Sequence, residues 1–333
     1  MSATRENRTK TGQAVVLQAM VTLDRDRLAF LVDAVAASAA IDAAERLGVF
    51  ARLAAGPATP STLARDCAIG ERGASVLLTA LASLGLAQVT EPGEYRSTLP
   101  DPATLTTRFA ALEQVIRDDH PPVVVDTPDG AESFYPDVVP ILGTMLASTA
   151  REAADHLTAP GLRVLDAGAG SAPWSLALAA RDPACRVCAV DLPAVLPTTR
   201  RAVADAGYAS QFDYLGGDLF SADWGHSAYD LAIAGNICHL FDEAANRRLL
   251  GRLFEALGPG GKLVIVDALP DESMDGPRPV ALYALDLMLR TEKGRVYPFS
   301  TYDSWLHAAG YESVERVDLS AAPLLSLIIA RRP

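Results

Sequence analysis

Arg163-Val-Leu-Asp-Ala-Gly-Ala-Gly-Ser-Ala-Pro-Trp-Ser175 is the stretch on which the rest of the chain can be hung. Apolar residues lead into Asp166, glycines follow at 168 and 170, and Trp174, Leu176, Leu178 and Ala179 then recur at helical spacing, so the segment reads as strand, tight turn and helix. Glycine belongs in such a turn because, lacking Cβ, it takes positive φ and lets a ligand approach the main chain. Further on, the apolar run Val187 to Val190 ends at Asp191. An acid closing a second strand can accept both hydroxyls of a ribose.

The details of the turn narrow the ligand. Residue 173 is Pro, well placed in the first turn of a helix but not the third glycine of a dinucleotide fingerprint, and no Gly-Lys-Ser/Thr follows. A pyrophosphate is thereby disfavoured. What remains is a cofactor with a ribose and a small anionic end, such as S-adenosylmethionine (SAM) with its carboxylate. The alternative is an ordinary glycine turn in an α/β sheet.

Length and composition set the outer limits. The chain has 333 residues, enough for two domains with ample core. Hydrophobic residues make up 50% and charged residues 21%, the balance of a soluble globular protein. A net charge of -12 argues against nucleic-acid phosphates and acidic membranes as partners. Met1 to Gly12 is polar with no apolar core of a leader, and no run of about 20 apolar residues follows. A cytoplasmic enzyme is expected. Cys185 and Cys188 have zinc-like spacing but fall in a predicted strand, where residues three apart face opposite ways, and no second pair completes four ligands. No metal is expected.

Taken in order, Thr22 to Ala55 carries Leu28, Leu31, Val32, Val35, Ala36 and Ala39 at helical spacing. That stripe is wider than a small lobe can bury alone, so part of it is available to seal a dimer. Helices at 60–67 and 73–86 and a hairpin at 88–97 then give the outline of a winged helix. The helix at 73–86 holds no Lys or Arg, which a groove reader needs, so the lobe reads as structural and dimerising. Three regions follow: 13–100 as this lobe, 101–157 as a helical connector, and 158–333 as the α/β domain. In the connector, helices are expected at about 103–118 and 138–157 with a Pro-rich stretch between them. Its Phe134, Tyr135, Met145 and His120 are candidates to line a substrate pocket. Beyond it, strands at 162–166, 186–190, 212–215, 230–234 and 262–267 alternate with helices as a parallel doubly wound sheet demands, and 313–319 and 324–330 form an antiparallel pair. Leu257-Gly-Pro-Gly-Gly261 reads as a helix stop and a turn.

Taken together, these residues resemble the dimerising plant-type small-molecule O-methyltransferases and their bacterial relatives. The resemblance spans about residues 22–331. It rests on the glycine motif, Asp191-Leu192-Pro193, Gly217-Asp218-Leu219-Phe220, His239 after the fourth strand, and Leu257 to Asp267. It implies a Rossmann-like class I methyltransferase domain with a seven-stranded, mostly parallel sheet, an N-terminal winged-helix dimerisation domain and a homodimer. Transferred position by position, it gives Gly168 and Gly170 the methionine part of SAM, Asp191 the ribose, Leu192 an edge contact, and Asp218 and Leu219 the adenine. His239 falls where the family keeps its general base. That role suits the chemistry, since imidazole can accept the proton of a phenol as the methyl group moves in line. SAM is the expected donor, S-adenosylhomocysteine (SAH) the product, and a small molecule the acceptor.

Some positions depart from the family pattern. Gly235 stands where many members hold a Lys, and Val296 where they hold the Glu that orients the His; Glu292, Asp242 and Glu243 lie at other offsets. His239 then needs another partner or is a helix-start histidine without catalytic duty. Asn236, at the carboxyl end of the fourth strand, is placed to meet the cofactor. Trp174 is placed to flank cofactor or substrate, and Tyr283, Leu287 and Met288 share a helix face that resembles the substrate-facing one. Asp267 suits either a salt link or a substrate contact. Two other functions stay open: C- or N-methylation or a non-methylating SAM reaction, and a winged-helix regulator.

Overall fold

In the computed structural model, residues 25–98 and 109–333 are described, and the chain divides into two units after Ala110. The N-terminal unit contains α1 (Arg25–Arg46), α2 (Val49–Ala54), α3 (Pro60–Asp66), α4 (Glu71–Ser83) and a hairpin of β1 (Ala87–Glu91) and β2 (Glu94–Ser97). Local chemistry sets these boundaries. The Thr59 hydroxyl accepts from the Thr62 amide and Pro60 opens α3, meeting two needs of a helix start. Val49, Phe50, Leu53, Leu63, Leu78 and Leu81 close the core of the lobe. Leu31, Val32 and Val35 on α1 stay exposed, as the surplus of apolar stripe predicted. The α4 helix begins two residues earlier than expected, because Gly70 caps it and Glu71 suits its positive first turn. Arg72 therefore lies on this helix, which corrects the expectation that it carries no basic residue.

The second unit contains α5 (Leu112–Asp118), α6 (Pro128–Leu157), β3 (Arg163–Ala167), α7 (Pro173–Ala179), β4 (Arg186–Asp191), α8 (Leu196–Asp205), β5 (Phe212–Gly216), β6 (Tyr229–Gly235), α9 (Glu243–Ala256), β7 (Leu257–Asp267), α10 (Arg278–Met288), α11 (Phe299–Ala308), β8 (Glu312–Asp318) and β9 (Ser326–Arg331). The seven strands run in the order β5-β4-β3-β6-β7-β9-β8, with β5, β4, β3, β6 and β7 parallel and β9 and β8 antiparallel at the edge. The chain moves outward from β3 through β4 to β5, then returns to place β6 on the other side of β3. That reversal opens a crevice at the carboxyl ends of β3, β4 and β6, the usual ligand position of an open α/β sheet.

Two boundaries of this unit differ from expectation. The second connector helix starts at Pro128 rather than near 138 and runs through Pro136 and Pro140. Thr127 accepts from the Gly130 amide and Pro128 takes the first turn. The internal prolines each remove one amide donor, but the buried face of Val139, Ala150, Ala153, Ala154 and Leu157 holds the helix together. The first connector helix is described from Leu112; its expected start at 103 lies outside the described residues. Both connector helices belong to the second unit. Finally, Leu257 to Gly261 is already strand: Leu257 pairs with Tyr229, and a register shift precedes the pairing of Leu231 with Lys262. The bulge absorbs the glycines without ending β7.

Two features of this frame are open to test. Gly143 of α6 faces the glycine turn so closely that a Cβ would stand 2.2 Å from Ser171 Oγ. Gly143→Val is expected to cost about 1–3 kcal/mol by overpacking, read as a lower Tm; an unchanged Tm would contradict the contact. Asp166 is buried, accepts from Ser175 Oγ at 2.5 Å, and burial pushes its pKa from 3.8 to about 7. Its neutral form is favoured by folding, so its contribution is complete below pH 3.8 and is lost as pH rises through about 7. Asp166→Asn should gain a few degrees of Tm relative to the parent between pH 5 and pH 8. A difference that does not change with pH would count against this.

Candidate functional site

Gly168 and Gly170 adopt φ of +74° and +56°, a region that costs other residues strain. The amides of Gly168 and Ala169 both donate to the Val190 carbonyl, at 2.9 and 3.1 Å, which ties the turn to the end of β4. Asp191 completes the tie. Its carboxylate accepts from the Gly170 amide and from the Leu192 amide, each at 2.7 Å. Burial raises its pKa to about 6, against the lowering effect of those two amides. The Gly217 amide donates to the Asp191 carbonyl at 3.0 Å, and the Phe220 amide to the Asp218 carboxylate at 2.8 Å. The ends of β3, β4 and β5 are thus joined by hydrogen bonds.

Over these strand ends lies a cavity of about 520 Å³, within the roughly 300–1,000 Å³ common for small-molecule sites. Gly168, Gly170, Asp191, Leu192, Asp218, Leu219 and Asn236 all line it, as expected from the sequence. Asn236 takes a φ of +60° at the end of β6, and its Oδ1 is buried without a partner among the described residues. A buried acceptor left unmatched is costly and favours a ligand donor. On the other side, α6 contributes Ala131, Tyr135, Val139, Leu142 and Leu146. Trp174 also lines the cavity, with its indole stacked where residue 235 lacks a side chain: a Cβ there would stand 2.3 Å from Trp174 Nε1. The place where family members carry a Lys is filled by a neutral ring.

His239 sits in the short turn Cys238–Leu240 after β6 and is 3% exposed. Its Nδ1 is 2.6 Å from Asp267 Oδ1, and its own amide donates to Asp267 Oδ2 at 3.0 Å. The group that orients the imidazole is therefore Asp267 at the end of β7, which resolves the question left by Val296; Val296 is buried in the core. Tyr283 Oη lies 2.9 Å from His239 Nε2, and Arg290 Nη2 donates to Tyr283 Oη at 2.8 Å. His239 and Tyr283 lie outside the cavity wall itself, whereas the neighbours Ile237 and Leu240 belong to it.

The substrate-side expectations divide. Tyr135 lines the cavity, and burial pushes its pKa to about 12. Phe134 packs edge-on against Tyr135 at 5.3 Å and is not part of the wall. Met145 points to solvent, 69% exposed, and Leu287 is fully buried core; neither lines the cavity, and nor does Met288. The helical spacing grouped these residues on faces without saying which face met the cavity. His120 is exposed, 3.4 Å from Glu292.

Arg290 and Asp126 were not singled out from the sequence. Arg290 lies two residues past the end of α10, and its guanidinium reaches back to the Tyr283 hydroxyl. Asp126 accepts the amides of Glu292 and Lys293, at 3.1 and 2.9 Å, while the Val125 amide donates to the Arg290 carbonyl at 2.8 Å. Asp126 and Lys293 both line the cavity, so these bonds fasten two segments of its rim.

Comparison with known proteins gives the same assignment. A family model described as an O-methyltransferase domain matches residues 145–312, and one described as an O-methyltransferase dimerisation domain matches residues 30–99. The chain is 32% identical over 305 residues to 3-hydroxy-5-methyl-1-naphthoate 3-O-methyltransferase of Streptomyces sahachiroi, covering 83% of this chain and 86% of that protein. It is 25% identical over 322 residues to the tetracenomycin polyketide synthesis 8-O-methyl transferase TcmO of Streptomyces glaucescens, covering 89% and 93%. In fold it is similar to human N-acetylserotonin methyltransferase in complex with SAM, with a TM-score of 0.68 at 21% identity over 93% of this chain and 98% of that one. With its glycine turn, strand-end acid and both domains matched, the chain belongs to the family of SAM-dependent O-methyltransferases that carry a dimerisation domain.

Proposed function

We propose that this enzyme methylates a hydroxyl of a small aromatic acceptor of polyketide type, as a homodimer formed through its N-terminal unit. The observation that carries the acceptor class is the composition of the cavity, whose wall joins the polar strand ends to Val125, Val139, Leu142, Leu146, Trp174 and Phe241. Apolar walls of that kind favour a flat ring over a sugar or a peptide. The relatives that act on a naphthoate and in tetracenomycin polyketide synthesis support the same class. Exposed Leu31, Val32 and Val35 on α1 and the dimerisation-domain match support the homodimer.

The residues present fit the methyl donor. Gly168 and Gly170 leave room at the backbone, Asp191 offers a carboxylate to the ribose, and Asp218 and Leu219 flank the place for the adenine. Asn236 Oδ1 is an acceptor in need of a donor, and the donor's ammonium group supplies one. When bound, SAM contributes an electrophilic methyl group on a sulfonium. This chain supplies position, exclusion of water, and a proton acceptor in His239 held by Asp267. With Asp267 in place of the family Glu, the orienting carboxylate is retained, and the reading of an oxygen acceptor is favoured over C- or N-methylation.

Calorimetry with SAH tests the donor site. The parent should bind, and Asp191→Asn should bind at least about tenfold more weakly. Protonation of Asp191, with its pKa about 6, removes an acceptor for the ribose, so affinity should fall as pH drops below 6, by about tenfold at pH 5. The variant should lose that dependence; a flat profile for the parent would remove Asp191 from the site. A mass-spectrometric screen of naphthols, hydroxynaphthoates and simple phenols with methyl-labelled SAM tests the acceptor class, and transfer confined to amines or carbon would overturn it.

A further inference from the structure

Each acid on the cavity wall is already engaged by the main chain. Asp191 and Asp218 accept the amides described above, Asp126 accepts those of Glu292 and Lys293, and Asp242 accepts the Ala245 amide as the cap of α9. Two cations share the wall with them, Arg248 and Lys293. Arg248 is committed as well: its guanidinium donates to the Phe220 carbonyl at 2.8 Å and lies over the Phe220 ring at 5.0 Å, next to the place for the adenine. Lys293 is less firmly held. Its Nζ has three protons to give, and its partner is Asp242 Oδ2 at 3.5 Å, long for a hydrogen bond. With the lysine side chain 64% exposed, so loose an ion pair contributes little.

The main chain beneath Lys293 is fixed. Asp126 holds the Lys293 amide at 2.9 Å, and two residues later the Arg295 amide donates to the His239 carbonyl at 2.9 Å. Between them Gly294 packs so closely on the histidine turn that a Cβ would stand 2.8 Å from the His239 carbonyl oxygen. Two residues of chain span at most about 7 Å, so Lys293 is rooted within that distance of the amide bound to the histidine turn. The lysine thus combines a fixed root, a charged tip with donors to spare and a place on the cavity wall with Phe241 and Asp242. The groups that fit the methyl donor lie at the strand ends, and Lys293 is not among them.

We infer that Lys293 reads a carboxylate on the acceptor, so that the preferred substrate is an aromatic hydroxy acid and not a neutral phenol. On binding, Nζ exchanges its long contact with Asp242 for a direct bond to the acceptor carboxylate. A charge-assisted hydrogen bond of that kind is stronger than a neutral one, and stronger again against apolar walls than in open water. The carboxylate is anchored on the rim that carries the histidine turn, and the ring lies against Val139, Leu142, Leu146 and Phe241. The short reach between Lys293 and that turn suits an acceptor whose carboxylate and hydroxyl share one ring or two fused rings.

The carboxylate site rests on the methyltransferase reading, and its test separates the two. With the protein saturated by SAH, calorimetry compares 3-hydroxy-1-naphthoate with its carboxamide, which keeps the shape and removes the charge. The parent should bind the acid at least about tenfold more tightly than the amide, and Lys293→Met should bring the two within about twofold of each other. Lys293→Arg should keep most of the preference. Asp242→Asn retains a capping oxygen for α9 and removes the competing charge, so it should tighten binding of the acid about threefold, and only while Lys293 is present. In turnover with methyl-labelled SAM, Lys293→Met should raise KM for the acid more than it lowers kcat. No binding of the acid, equal affinity of the parent for acid and amide, a preference that survives Lys293→Met, or weaker binding of the acid by Asp242→Asn would each overturn the carboxylate site, while SAH binding leaves the methyltransferase reading standing. Failure of the parent to bind SAH would instead overturn that reading and the carboxylate site with it.

Discussion

Asp267 is the residue on which the geometry around His239 rests. It is fully buried and accepts four hydrogen bonds: from the His239 amide, the His239 ring, the Ala268 amide and the Tyr302 hydroxyl. A carboxylate removed from water is tolerated only when its lone pairs are matched. Matching them draws the end of β7, the turn after β6 and helix α11 to a single point. The imidazole can then adopt one orientation only, and everything built on its second nitrogen inherits that precision.

The donor side was legible because its signals are local. A glycine turn between a strand and a helix, an acid closing the next strand and the Gly-Asp-Leu-Phe piece each lie within a few residues, and all of them line one cavity. The partner of His239 was not legible in the same way. Asp267 is 28 positions away, and only the parallel pairing of β6 with β7, which sets Gly235 opposite Val266, brings the two together. The acceptor side was the least legible. Helical spacing grouped Tyr283 with Leu287 and Met288, but tertiary packing sent Leu287 into the core and Tyr283 to the imidazole. Met145 looked equally suitable on α6, yet the helix turns Val139, Leu142 and Leu146 inward instead. The prolines at 136 and 140 hid the first turns of that helix, because a breaker in the sequence breaks only where packing does not compensate.

Gly235 and Trp174 show how a departure from a family pattern can be structural in origin. Without a side chain at 235, the indole of Trp174 moves in against the backbone. A charged residue there would have to displace the ring. The indole thus gives this corner of the cavity an aromatic surface.

Asn236 joins two requirements in one residue. Its backbone lies in the left-handed region and its side-chain oxygen faces no protein donor among the described residues. Glycine would keep the bend and drop the oxygen; aspartate would keep both but add a negative charge; most other side chains would strain the chain itself. The shape of the crevice and its polarity are therefore encoded together at this position, so selection for a new ligand has almost no vocabulary here and must instead write its changes on α6 and α10.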